Sequence, residues 1–262
     1  MHIIVIDVTT WTAHATREPA EHFLAAIDRS WREILAASAG GCAWRSQRLH
    51  ALVMLHVDRA THKRRLRPTF FSAGDCSVTD HGFTPMSDII AADAYGPELL
   101  RVVHTGDESP LAAAIVAAKA DQQVVAATVI TESQFIDIDT FDEHSGSQLR
   151  PESHGAVVPF LYAAPNEDIE DAFEREDLLR ANGYSTYTVD ATTMGDDPIA
   201  MHRNLAALME DVFDEIALLK ADAAARILSQ DPLWPLVIVK APVEWDPTPA
   251  SAPADRERSE AA

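Results

Sequence analysis

The sequence predicts an α/β fold built on a doubly wound, mostly parallel β-sheet. From residue 111 to residue 241, predicted strands alternate with predicted helices, which is the order expected of β-α-β units. The predicted strands 123–130, 156–163 and 233–241 contain almost no charged residue, and such apolar runs are typical of strands buried on both faces of a parallel sheet. A ligand of this sheet is expected at the carboxyl ends of its strands.

Residues 1–108 are predicted to form an N-terminal α/β part. Strand predictions rest on short apolar runs, and helix predictions rest on apolar residues spaced three and four apart. The predicted elements are a strand at 3–9, a helix at 17–38, a strand at 50–57, a short helix at 86–94 and a short strand at 99–104.

Residues 109–245 are predicted to form the second part, and the tail 246–262, rich in Pro, Ala and charge, is predicted to be disordered. Its elements are a helix at 111–120, strands at 123–130 and 156–163, a helix at 167–181, a strand at 183–190, a helix from 198 to about 230 and a strand at 233–241. The helix at 198 is long for a globular protein. Its first half is expected to pack on the sheet, and part of it is a candidate contact with a partner chain.

The charge of the chain is strongly negative and unevenly distributed. The formal net charge is −20, and residues 1–110 hold 11 Lys and Arg against 13 Asp and Glu, so the rest of the chain carries most of it. This balance disfavours nucleic acid and anionic membranes as partners. No apolar run approaches the length of a membrane span, and Cys42 and Cys76 form no disulfide framework. The lack of a disulfide framework suits a reducing compartment, and the protein is therefore predicted to be cytoplasmic.

Two clusters raise binding hypotheses of their own. The basic run 63–67 is either a phosphate or polyanion contact, which would make the protein a small-anion binder, or a set of basic residues that are solvated or paired with the acidic half. An acid-His group is the second cluster, and a solvated acidic loop is preferred there to a metal site because its spacing matches no Ca²⁺ or zinc signature. That group comprises Asp137, Asp139, Asp142, Glu143, His144 and His154.

Several short motifs resemble phosphoketolases, the thiamine-diphosphate enzymes that split xylulose 5-phosphate or fructose 6-phosphate with inorganic phosphate. The motifs are Gly183-Tyr184, Gly195-Asp196-Asp197-Pro198 with Met201-His202, and Trp234-Pro235 running to Lys240-Ala241-Pro242 and Trp245. The resemblance spans residues 111–247 and is to the C-terminal part of the first domain of these enzymes. It implies a thiamine-diphosphate-binding, transketolase-like fold, carbohydrate metabolism and aldehyde-lyase chemistry.

The resemblance also implies where thiamine diphosphate and its Mg²⁺ would bind. In the family, a Gly-Asp-Gly turn after one strand and an Asn after the next hold the metal, and the glycines let the backbone approach the diphosphate. Here Thr131-Glu132-Ser133 follows the strand 123–130, so Glu132 stands at the Asp position and neither glycine is kept. Ala164 stands at the Asn position, and Asn166 lies two residues later. Glu132 and Asn166 are therefore the degenerate cofactor-binding positions.

His202 is the candidate catalytic residue that the resemblance implies, through a substrate contact or proton transfer. The alternative role is structural: a histidine near the helix N-terminus that holds the turn of Asp196 and Asp197. The family's second domain and its Gly-His-Gly segment have no counterpart here, so thiamine diphosphate and Mg²⁺ are predicted not to bind this chain alone. The preferred hypothesis is a degenerate, catalytically impaired domain acting by association, with itself or with another subunit. The alternative is a half-enzyme completed by a separate subunit.

Overall fold

The fold is described by a computed structural model. It covers residues 66–72, 101–105, 108–136, 141–164, 169–192, 198–228 and 231–241, together with seven single positions between Leu49 and Arg64. The strands are β1 (Arg67–Ser72), β2 (Arg101–His104), β3 (Val124–Thr131), β4 (Ala156–Ala163), β5 (Tyr184–Asp190) and β6 (Trp234–Lys240). The α-helices described without a break are α1 (Pro110–Ala120), α2 (Glu132–Phe135), α3 (Ile169–Ala181) and α4 (Pro198–Ala225).

The strands form one sheet, and this confirms the predicted α/β fold with a parallel sheet. The order of the six strands is β2-β1-β3-β4-β6-β5, and every neighbouring pair is parallel. β3, β4 and β6 are buried along nearly their whole length, as expected of strands covered on both faces. The sheet includes β1 and β2 from the predicted N-terminal part, so those strands share a core with the rest.

The predicted strand at 50–57 is wrong. The described positions in and after this stretch are helical, and most of them are buried at spacings of three and four residues. A continuous apolar run fits a buried helix as well as a buried strand, which explains the error. The strand β1 was not predicted, whereas β2 lies within the predicted strand 99–104. The predicted elements at 3–9, 17–38 and 86–94 and the tail 246–262 lie outside the described residues.

The two faces of the sheet are covered by different helices. The connections from β2 to β3, from β3 to β4 and from β4 to β5 all run the same way across the sheet, and the connection from β5 to β6 runs back. Right-handed crossovers therefore place α1, the β3–β4 crossover and α3 on one face and α4 on the other. Within the described part of the chain, no helix is both long and apolar enough to span a bilayer.

The face of the sheet under α4 contains a small polar cluster. Ser185 and Tyr187 on β5 both donate hydrogen bonds to the carboxylate of Glu215 on α4, with 3.0 Å between the Ser185 and Glu215 oxygens. Burial raises the pKa of the Tyr187 phenol, and the hydrogen bond to Glu215 raises it further. The folded protein thus keeps the Tyr187 proton at a pH where an unfolded chain releases it.

The raised pKa of Tyr187 predicts that the folded protein loses stability at alkaline pH. Below about pH 10 the phenol is protonated in both folded and unfolded states, so its contribution is fully present. At higher pH the unfolded state loses the proton first, and stability falls as the pH rises. We expect Tyr187→Phe to flatten this alkaline decline in urea unfolding measured across that range. Ser185→Ala, which removes the other bond to Glu215, should leave the slope unchanged, and equal slopes in wild type and Tyr187→Phe would contradict the assignment.

Candidate functional site

The candidate site lies at the carboxyl ends of β3 and β4. The two strands are neighbours, with Thr131 of β3 paired with Tyr162 of β4, so the segments that follow them leave the sheet side by side. Glu132 begins α2 directly after β3, and Ala164 follows β4 directly. Both residues are exposed. The structure therefore brings together the two positions at which the resemblance places the metal ligands.

The turn after β3 is built as a capping box. The Thr131 hydroxyl accepts a hydrogen bond from the Gln134 backbone N–H at 3.3 Å, and the Gln134 side-chain oxygen accepts one from the Thr131 backbone N–H at 2.9 Å. Ser133 adds a contact of 3.0 Å between its hydroxyl and that of Thr131. Two backbone N–H groups of this turn are consequently bonded within the turn itself.

A buried cation lies near this turn. Arg175 on α3 is only 4% exposed. Burial lowers the pKa of its guanidinium, while the negative charges of Glu132 and Glu176 raise it in part. The Glu132 carboxylate therefore already has a positively charged neighbour in the folded protein.

The structure gives less information on the other two predicted site residues, Asn166 and His202. Asn166 lies outside the described residues, and of His202 the structure gives only that its backbone lies in an early turn of α4, which begins at Pro198 as predicted. The described segments contain no group of three or more His, Cys, Asp or Glu side chains that could hold a metal ion. The roles of Glu132, Asn166 and His202 stay predictions.

The two histidines of the acid-His group have separate partners. His144 is 1% exposed, and its ring nitrogens contact the Ser109 hydroxyl and the Phe135 carbonyl. His154 accepts a hydrogen bond from the Arg150 backbone N–H at 3.0 Å. Sequence reasoning missed the pairing of His144 with Ser109, because the two residues are 35 positions apart and share no motif.

The two described arginines of the basic run 63–67 are paired with carboxylates. Arg64 contacts Glu210 at 3.0 Å and Asp214 at 2.6 Å, both on α4. Arg67, at the start of β1, pairs with Asp121. These pairs agree with the interpretation of basic residues bound to the acidic half. Because Arg67 begins its strand, it also lies at the end of β1 opposite to the carboxyl end where a ligand is expected.

These features define an α/β protein with a candidate ligand site at the carboxyl ends of adjacent parallel strands, and comparison with known proteins gives its family. The family model described as the XFP N-terminal domain matches residues 105–252, more than half of the chain. The chain therefore belongs to the phosphoketolase N-terminal-domain family.

Curated relatives agree with this family and are much longer proteins. A probable phosphoketolase of Mycobacterium avium (strain 104) is 37% identical over 109 residues, which is 39% of this chain and 13% of the relative. A probable phosphoketolase of Chlorobaculum tepidum is 35% identical over 109 residues, with the same coverage of each chain. Probable phosphoketolase 1 of Nostoc sp. is 32% identical over 119 residues, covering 43% of this chain and 14% of the relative. The matched part thus spans only about an eighth of these relatives.

Proposed function

We propose that this chain is a phosphoketolase-family domain of carbohydrate metabolism that does not hold thiamine diphosphate and Mg²⁺ by itself and acts by association with another chain. The observation that carries the proposal is the turn after β3, where a capping box and an exposed Glu132 stand beside Ala164. Two cysteines in 262 residues fit a reducing compartment, so we place the protein in the cytoplasm.

The first argument concerns the metal. Mg²⁺ requires a near-octahedral set of oxygen ligands. At the two adjacent strand ends, Glu132 offers a carboxylate but Ala164 offers no side-chain oxygen. The buried guanidinium of Arg175 supplies a positive charge near Glu132, and a second cation there would be repelled. A single carboxylate near a buried positive charge, with an alanine at the neighbouring strand end, fits a Mg²⁺ site poorly.

The second argument concerns the diphosphate. A phosphate group is held by backbone N–H groups that are free to point at it, usually on a loop whose glycines allow close approach. In this turn the N–H groups of Thr131 and Gln134 donate within the capping box. Thr131 and Ser133 also carry side chains where the family has glycines. A diphosphate would compete with the capping box for these two donors and would meet the side chains of Thr131 and Ser133.

The third argument concerns association. A helix of 28 residues such as α4 is about 42 Å long, whereas a strand of seven residues spans about 23 Å. Among the α4 side chains that the structure describes, the buried ones run from Leu205 to Ile216. Beyond them, Leu218 is 60% exposed, and Ile227 just after the helix is 65% exposed. The exposed Leu218 on the second half of α4 and the exposed Ile227 just past its end support a contact with a second copy or another subunit.

Calorimetry tests the proposal directly. Thiamine diphosphate is titrated into the chain in the presence of Mg²⁺, with a full-length phosphoketolase as the positive control. We expect no binding in the micromolar range for the wild type. A matched variant restores the family turn and the amide ligand through Thr131→Gly, Glu132→Asp, Ser133→Gly and Ala164→Asn, and it should gain affinity. Micromolar binding by the wild type would reject the proposal.

A second candidate function is a half-enzyme completed by a separate subunit. It is favoured by one observation: the strand ends that carry Glu132 and Ala164 remain side by side. In this case Glu132 and a displaced Asn166 would hold the metal, and His202 would contact substrate. The test is to isolate the binding partner with the tagged chain and to repeat the titration with both chains present. A companion that carries the second domain of the phosphoketolase family and induces cofactor binding would favour this function over the first.

A further inference from the structure

Ser109 and His144 form a close pair outside the site described above. The Ser109 hydroxyl lies 2.6 Å from Nε2 of His144, and Nδ1 of His144 lies 2.9 Å from the backbone carbonyl oxygen of Phe135. Ser109 is the N-cap residue of α1, and His144 ends the 3-10 turn Phe141–His144 in the β3–β4 crossover. The crossover thus delivers an imidazole to the N-terminus of α1.

The partners of His144 fix the direction of both hydrogen bonds. A backbone carbonyl can only accept, so Nδ1 of the neutral ring carries the proton and donates it to Phe135. Nε2 is then the acceptor, and the Ser109 hydroxyl donates to it. A hydroxyl that donates to an imidazole, which is itself oriented by a third group, is the arrangement that activates a serine nucleophile.

The imidazole is held rigidly and kept from water. His144 is 1% exposed, and its own backbone carbonyl accepts a hydrogen bond of 2.7 Å from the buried Tyr184 hydroxyl. The Phe135 ring lies against it, with 5.9 Å between ring centroids, and meets the Tyr184 ring edge-on. Water therefore competes little for Nε2, and the base stays directed at Ser109.

The Ser109 side chain is more exposed than that of His144, and it lies at the N-terminus of α1, where the helix dipole favours negative charge. It is half-buried, and the preceding Glu108 is exposed, so a small reagent can approach from that side. The Ala112 backbone N–H donates to the Ser109 oxygen at 3.3 Å. The first N–H groups of a helix lack intrahelical partners, and the helix dipole there stabilises negative charge. Pro110 has no N–H and the Ala112 N–H already donates to the Ser109 oxygen, so an oxyanion beside Ser109 would be stabilised by the Leu111 N–H and by the dipole of α1.

We propose that Ser109 is a nucleophile, with His144 as its general base, toward small uncharged acyl esters. The net charge of −20 disfavours anionic substrates, and the pair is bordered by apolar residues such as Phe135 and Pro110. The Ser109 oxygen bonds to the acyl carbon as its proton passes to Nε2 of His144. The ester C–O bond then breaks, and the alcohol leaves with that proton. Water releases the acid from the acyl-serine and restores the hydroxyl.

The experiment uses the full chain with p-nitrophenyl acetate and a fluorophosphonate probe. We expect ester hydrolysis and a single adduct, which peptide mapping locates at Ser109. Ser109→Asn removes the nucleophile but keeps an N-cap residue, so it should fold normally and lose both signals. His144→Gln should lower the labelling rate at least about 100-fold, the scale of general-base catalysis. Ser145→Ala, at a serine that hydrogen-bonds elsewhere, should react like the wild type.

The proposal fails on any of three results. Absence of an adduct at saturating probe would overturn it, as would labelling that persists in Ser109→Asn. A wild-type labelling rate in His144→Gln would show that the pair has a structural role only. Circular dichroism and thermal melting of each variant separate loss of reactivity from loss of fold: if His144→Gln unfolds, the hydrolysis and labelling of the folded Ser109→Asn decide the matter.

Discussion

Gly155→Ala is expected to lower the free energy of unfolding by about 3 kcal/mol or more, within the range of severe core substitutions. A Cβ atom at this position would lie 2.4 Å from the carbonyl oxygen of Val124 and 2.6 Å from that of Asp121. Both are backbone atoms where α1 ends and β3 begins, so no side-chain rotation relieves the contact. The Gly155 N–H also donates to the Ala118 carbonyl at 2.7 Å, which fixes the backbone in place.

Urea unfolding of Gly155→Ala measures this effect. Ser153→Ala is the matched control, because Ser153 is exposed in the same turn and its replacement should change stability by no more than about 0.5 kcal/mol. If Gly155→Ala unfolded at the wild-type urea concentration, the close packing of the start of β4 against α1 would be contradicted.

The C-terminal part of the fold was predictable because its strands are defined by their own composition. The runs that became β3, β4 and β6 are long and apolar, and the helix α1 that precedes them begins at a clear signal, Ser109-Pro110. β1 has no such pattern. It begins with Arg67 and Pro68, and it is a strand because it pairs with β2 and β3 on its two sides. Tertiary pairing of this kind leaves little local signal.

The two candidate sites also differ in how far the sequence predicts them. Glu132 and Ala164 follow consecutive strands, and consecutive strands of a parallel sheet are often neighbours, so their proximity followed from the sequence. Ser109 and His144 meet only because the β3–β4 crossover runs back across one face of the sheet beside α1. That path is also fixed by contacts distant in sequence, such as the Gly146 N–H with the Asn182 carbonyl at 2.9 Å. No local pattern encodes it.

Phe213→Ala is expected to lower the free energy of unfolding by about 4 kcal/mol, the scale of a phenylalanine deleted from a core. Phe213 is 1% exposed, and the Arg64 guanidinium lies 5.5 Å from the centre of its ring. The side chain therefore joins α4 both to the core and to the helical segment that contains Arg64. Replacement leaves a cavity and removes a cation–π contact. Urea unfolding at low protein concentration measures the loss.

Leu218→Ala on the same helix is the matched control, and it separates packing from association. Leu218 is 60% exposed, and alanine also favours the helical conformation. In dilute solution the replacement should therefore leave the free energy of unfolding nearly unchanged. If the second half of α4 binds another copy, wild-type stability will rise with protein concentration, because binding stabilises the folded state. Leu218→Ala should abolish that rise while leaving the dilute value intact. A Leu218→Ala variant that keeps the concentration dependence would remove this surface from the association proposal, whatever Phe213→Ala shows.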